Sequence, residues 1–144
     1  MTTLTTTADL EARAAWSIIT EPSDAPAGAI TAALGHTAAL AALAGSTDSD
    51  LAALLVEHEA VTTAADGIAA ARRWRPRVST ADIDTAIASA TRDGIHLIDP
   101  SIVPGLSDLG NVAPHLLWVR GDAAALTTPL VDKDWHVAEL NLAL

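Results

Sequence analysis

Arg72, Arg73, Arg75 and Arg77 gather half of the chain's eight basic side chains around Trp74. Guanidinium groups beside an indole offer phosphate contacts together with a face on which a base can stack, which makes this cluster the candidate nucleic-acid contact of the sequence. A structural role competes and is preferred: arginines near a helix C-terminus complement its dipole while Trp74 packs inward. Asp132, Asp134 and His136 alternate as metal ligands on an extended segment would, yet no fourth donor stands at a recognisable spacing, so a solvated acidic turn is expected there. Glu57, His58 and Glu59 are adjacent and would point about 100° apart on a helix, which prevents them from forming one acid/base pair by themselves. The remaining histidines look isolated, and no serine sits in a nucleophile-elbow setting. No catalytic, cofactor-binding or metal site is expected, and the chain does not read as an enzyme.

Composition narrows the field further. The chain has 144 residues, 50% of them hydrophobic, enough for one domain with a real core. Its apolar side chains are mostly Ala, Leu, Ile and Val, with neither Phe nor Tyr and only four Trp, which favours packed helices over an aromatic-rich sandwich or barrel. The absence of cysteine removes disulfides, thiolate zinc sites and thiol nucleophiles. A formal net charge of −10 opposes tight non-specific contact with nucleic acid or with an anionic membrane. The first ten residues lack a basic and apolar leader pattern, and no run reaches the ~18 apolar residues of a membrane span. A cytoplasmic protein without membrane contact is the expectation.

The elements follow from caps and breakers. Thr6 or Thr7 opens a first helix that Glu21-Pro22 stops, and Asp24 caps a second helix that ends at Gly35. Thr37 is read as the cap of a third helix ending at Gly45, which makes Leu34-Gly35-His36 a helical hairpin. Ser46 to Asp50 opens a fourth helix, Thr63 a fifth running to Trp74 before Pro76, and Ser79 a sixth closed by Gly94. Beyond Gly94 the texture changes. Ile95 to Ile98 and Leu116 to Val119 are short β-type runs flanking a helical stretch at Leu106 and Leu109, which reads as half of a parallel α/β unit. Trp135 to Leu140 suggests a terminal helix.

The composite from Arg92 to Asp122 carries a family likeness. It contains Gly94-Ile95-His96-Leu97-Ile98, then Asp99-Pro100 with Pro104 and Leu106, then Leu109-Gly110, Pro114 and Leu116-Leu117-Trp118-Val119-Arg120-Gly121. In order and type it resembles the approach to the Rossmann-like domain of the DprA/Smf family of DNA-processing proteins. Helix one with Ala12, Arg13, Ala14 and Ala15, the Leu34-Gly35 hairpin, and Arg73-Trp74 with Arg77 are similar to that family's opening helix, SAM-like or helix-hairpin-helix-like segment and link to the sheet. The likeness covers most of residues 9 to 122. The family's next signature, of the form V-G-x-R-x-x-T-x-Y-G, has no counterpart here, since no glycine follows Gly121.

The resemblance implies a mainly α chain, with a helical SAM-like domain over residues 1–93 and a truncated start of a Rossmann-like domain over 94–144. It also implies a parent function of binding single-stranded DNA during transformation and helping to load a recombinase, with no cofactor. The DNA-binding signature itself is missing. The alternative is a free-standing helical interaction module that meets a protein partner through an exposed sheet edge and apolar surface near Trp118 and Trp135.

Overall fold

Side-chain caps set the starts of α-helices two, four, five and six in this computed structural model, which describes residues 7–126 and 140–143. Helix α1 spans Thr7–Ile19 and α2 spans Ala25–Leu34, where Asp24 accepts from the Ala27 amide and Pro26 sits in the first turn. Helix α3 covers His36–Gly45, α4 covers Asp48–Glu57 and α5 covers Ala64–Trp74. Helix α6 covers Thr80–Arg92. Thr47, Thr63 and Ser79 cap α4, α5 and α6 by accepting from the amides of Asp50, Asp66 and Asp82. One cap differs from the sequence reading: Gly35, not Thr37, is the residue ahead of α3, and it supplies no side-chain cap. Gly35 adopts φ 84°, which permits a 110° bend between α2 and α3 with no intervening loop.

The helical core is built on two tryptophans. Trp16 of α1 and Trp74 of α5 meet edge to face, with ring centroids 5.4 Å apart, and both are fully buried among Ile19, Ile30, Leu43, Leu51 and Leu55. Each buried indole N–H has a partner. Trp16 Nε1 donates to the His36 carbonyl at 3.1 Å, and Trp74 Nε1 donates to Asp24 Oδ2 at 2.9 Å. Asp24 therefore holds a helix cap with one oxygen and the core indole with the other. Replacing Asp24 by Ala is expected to cost about 2 to 3 kcal/mol, the sum of a lost cap and an orphaned indole donor. Asp24→Asn, which keeps one acceptor oxygen where two are used, should recover only part of that loss in a urea titration.

Close approach fixes two further contacts. Gly67 of α5 lies so near Ala52 of α4 that an added Cβ would come within 2.8 Å of the Ala52 backbone, and Gly28 of α2 presses still more tightly on Asn111.

Strands β1 (Ile95–Ile98), β2 (Leu117–Gly121) and β3 (Leu140–Ala143) form a sheet in the order β1-β2-β3, with both pairings antiparallel. This corrects the expected parallel strand-helix-strand unit. The connection from β1 to β2 contains only 3-10 turns, Pro100–Ile102 and Leu106–Val112, and no crossover α-helix. A parallel return requires such a crossover, whereas an antiparallel one does not. The second strand also begins one residue later than read, leaving Leu116 buried just ahead of it. Of the expected terminal helix, residues 135–139 lie outside the described residues, and Leu140 belongs to β3.

The sheet is tied to α1 by polar contacts. Trp118 Nε1 donates to Ser17 Oγ at 3.1 Å, so the half-buried Trp118 is engaged within the fold and does not form an open apolar surface. Among the described residues no single helix is long and apolar enough to cross a membrane.

Candidate functional site

The sequence presents His36 and His115 as unrelated residues 79 positions apart, and the fold brings their rings together. His36 is the first residue of α3, placed by the Gly35 bend. His115 stands two positions before β2, on the segment that the α2 contact with Leu106–Val112 holds against the helices. His36 Nε2 and His115 Nδ1 lie 3.2 Å apart, with the rings nearly perpendicular and their centroids 5.3 Å apart. With both rings neutral, one nitrogen donates and the other accepts, the tautomers setting which does which. The expectation that the histidines are isolated is corrected here.

Around the pair is a cleft of about 170 Å³, lined by Arg13, Gly28, Thr31, Ser101, Ser107 and both histidines among others. Arg13 organises its rim. Its Nε pairs with Asp9 at 2.9 Å, and its Nη1 donates to the His115 carbonyl at 3.2 Å and pairs with Asp99 at 3.4 Å. The indole of Trp16 lies tilted against His115, centroids 6.0 Å apart. Burial lowers the His36 imidazole from its ordinary 6.5 to about 4; the Arg13 guanidinium and His115 add to this, against Asp9 and Asp99. Burial likewise lowers His115 to about 4, with Asp24 opposing and Arg13 assisting. Both rings are neutral near pH 7, with ring nitrogens able to accept a proton, a hydrogen bond or a cation.

Arg72 and Arg73 lie in the last turn of α5, and Arg75 and Arg77 in the 3-10 turn that follows it. Arg75 Nε meets Asp48 Oδ1 at 2.8 Å and its Nη1 donates to the Leu43 carbonyl at 2.8 Å, while its Nη2 is buried without a hydrogen-bond partner among the described residues. Arg77 pairs with Glu21 at 2.7 Å, and Arg73 approaches Asp24 at 3.6 Å while lying 6.0 Å from the Trp74 ring centroid. Arg72 is exposed. Three of the four cations thus face carboxylates of their own chain, and the Trp74 ring is buried, so it offers no stacking face to a base.

The remaining sequence candidates stay apart. Glu57 ends α4, His58 caps it and Glu59 adopts φ 58°, so the three do not converge. Asp132, Asp134 and His136 lie outside the described residues. No local spacing announces the histidine pair; the Gly35 stop and the Pro114-His115 approach to a strand were visible separately, but only the packing of α2 against Leu106–Val112 joins them.

Compared with known protein families, with curated proteins and with solved structures, the chain matches none.

Proposed function

We propose that the chain is a DprA/Smf-like DNA-processing module: a SAM-like helical part joined to the approach of a Rossmann-like domain, with no bond-making chemistry of its own. One observation carries the reading. The glycines that bracket the family-like composite, Gly94 and Gly121, both take positive φ, 76° and 107°, and the strands between them pair in one continuous register. A motif glycine in a left-handed conformation has a physical reason to be glycine. The antiparallel pairing is compatible with a mixed sheet that carries an antiparallel edge on a parallel body. In this reading single-stranded DNA and a recombinase are partners of the complete machinery. The acidic surface and the internally paired arginines leave this chain little affinity for phosphates.

The test is a fusion in which residues 1–122 precede the glycine- and arginine-bearing strand and the rest of the Rossmann-like domain of a DprA/Smf protein. Binding of a labelled single-stranded oligonucleotide is then measured at low and physiological salt. The fusion should be soluble and bind with affinity that falls as salt rises, while the chain alone shows no saturable binding. An aggregated fusion, or salt-sensitive binding by the chain alone, would overturn the reading.

A second reading, a helical protein-interaction module, is favoured by Ile102, Leu109 and Val112, which are 49%, 49% and 40% exposed on the 3-10 segments. It requires that Leu109→Ser abolish partner capture without changing stability.

A further inference from the structure

We propose that His36 and His115 form an open binding site for a late-transition divalent cation of the Zn²⁺ or Cu²⁺ type. The argument is geometric. An ion held by two imidazoles at about 2.05 Å with a tetrahedral angle of about 109° sets the ligating nitrogens about 3.3 Å apart and the ring centroids about 5.2 Å apart. The structure has 3.2 Å between His36 Nε2 and His115 Nδ1, and 5.3 Å between the centroids. The cation would take the place of the bridging proton, with His36 carrying its remaining hydrogen on Nδ1 and His115 on Nε2.

Charge limits the choice of ion, and the cleft gives it access. Asp9 and Asp99 flank Arg13 and partly offset its positive charge beside the pair, while Arg13 remains the strongest charge acting on His36, so only an ion with high affinity for imidazole would bind. Imidazole nitrogens prefer Zn²⁺, Cu²⁺ and Ni²⁺ over the oxygen-seeking Ca²⁺ and Mg²⁺. Among the described residues no group of three or more His, Cys, Asp or Glu side chains converges on one point. The other coordination positions therefore fall to water, or to a small ligand entering from the cleft that both histidines line.

Trp16 supplies the readout, because its ring lies 6.0 Å from that of His115 and Cu²⁺ bound there would quench its emission. The purified full chain is titrated with Cu²⁺ by tryptophan fluorescence and with Zn²⁺ by calorimetry at pH 7.5. One equivalent of each metal should bind. Losing an outer-shell partner alone can weaken a metal site about ten-fold, so H36Q and H115Q should each weaken binding by at least that much. H58Q, H96Q and H136Q should leave it unchanged. Should a variant fail to fold, zinc-induced shifts of the imidazole nitrogen resonances in the unaltered chain decide the matter, since only His36 and His115 should move together. Unchanged affinity in folded H36Q and H115Q, or zinc shifts confined to other histidines, would overturn the proposal.

Discussion

Replacing Gly28 by Ala should destabilise the chain by about 2 to 3 kcal/mol, although alanine is the better helix former at an interior helical position by about 1 kcal/mol. The added Cβ would fall 1.8 Å from the Asn111 carbonyl oxygen and 2.8 Å from its Cα, and both are backbone atoms that no rotamer change can move. Helix α2 and the Leu106–Val112 segment would have to separate. That separation would open the wall of the cleft on which His115 depends, so Gly28→Ala should also weaken the ring contact with His36. Gly45, at the end of α3, has nothing within 4 Å of its Cβ direction and no positive φ. Gly45→Ala is the matched control and should leave stability unchanged or slightly raised. Urea midpoints of the two variants at pH 7 make the comparison, and equal midpoints would contradict the close approach of α2 to Asn111.

Acid should unfold the metal-free protein through the histidine pair well before general acid denaturation. Both folded-state pKa values lie below the ordinary 6.5, at about 4. The unfolded chain therefore binds more protons between these values, and stability must rise with pH across that window. The contribution is fully present above about pH 6.5 and is lost progressively as pH falls towards 4, on the order of 3 kcal/mol for each imidazole. With chelator present, urea midpoints measured from pH 7.5 to pH 4 should fall steeply. The double variant H36Q/H115Q should show a flatter profile over the same range. Parallel profiles for the two proteins would show that the rings are not held neutral by the fold. Adding Zn²⁺ to the unaltered chain should raise stability near pH 7 and move the fall to lower pH only as far as the metal outcompetes protons.

Much of the helical order is written locally. Asp24, Thr47, Thr63 and Ser79 are caps because short polar side chains accept from amides within one turn, an interaction that requires no knowledge of the rest of the chain. Gly35, Gly94 and Pro76 end or redirect helices for equally local reasons. The inward placement of Trp74 is likewise legible, since an indole between helix-terminal arginines has an apolar body to bury.

Strand pairing was not legible in the same way. Ile95 to Ile98 and Leu117 to Gly121 are β-type runs on their own terms, yet direction depends on whether the intervening segment forms a crossover helix. There the chain kinks at Gly110, with φ 60° and ψ −130°, and stays in 3-10 turns. The candidate site was less visible still. Arg72, Arg73, Arg75 and Arg77 stand out in the sequence because they are neighbours, but their carboxylate partners Glu21, Asp24 and Asp48 come from distant segments. His36 and His115 carry no local signal at all.

By itself, then, the sequence determined the α-helices up to Arg92, the caps at Asp24, Thr47, Thr63 and Ser79 and the two motif glycines that shape the β1–β2 pair, because backbone hydrogen bonding and glycine sterics act over a few residues. Tertiary structure alone decided the strand direction, the pairing of Arg73, Arg75 and Arg77 with carboxylates and the meeting of His36 with His115, because each depends on the packing of segments far apart in the chain, such as Gly28 against Asn111.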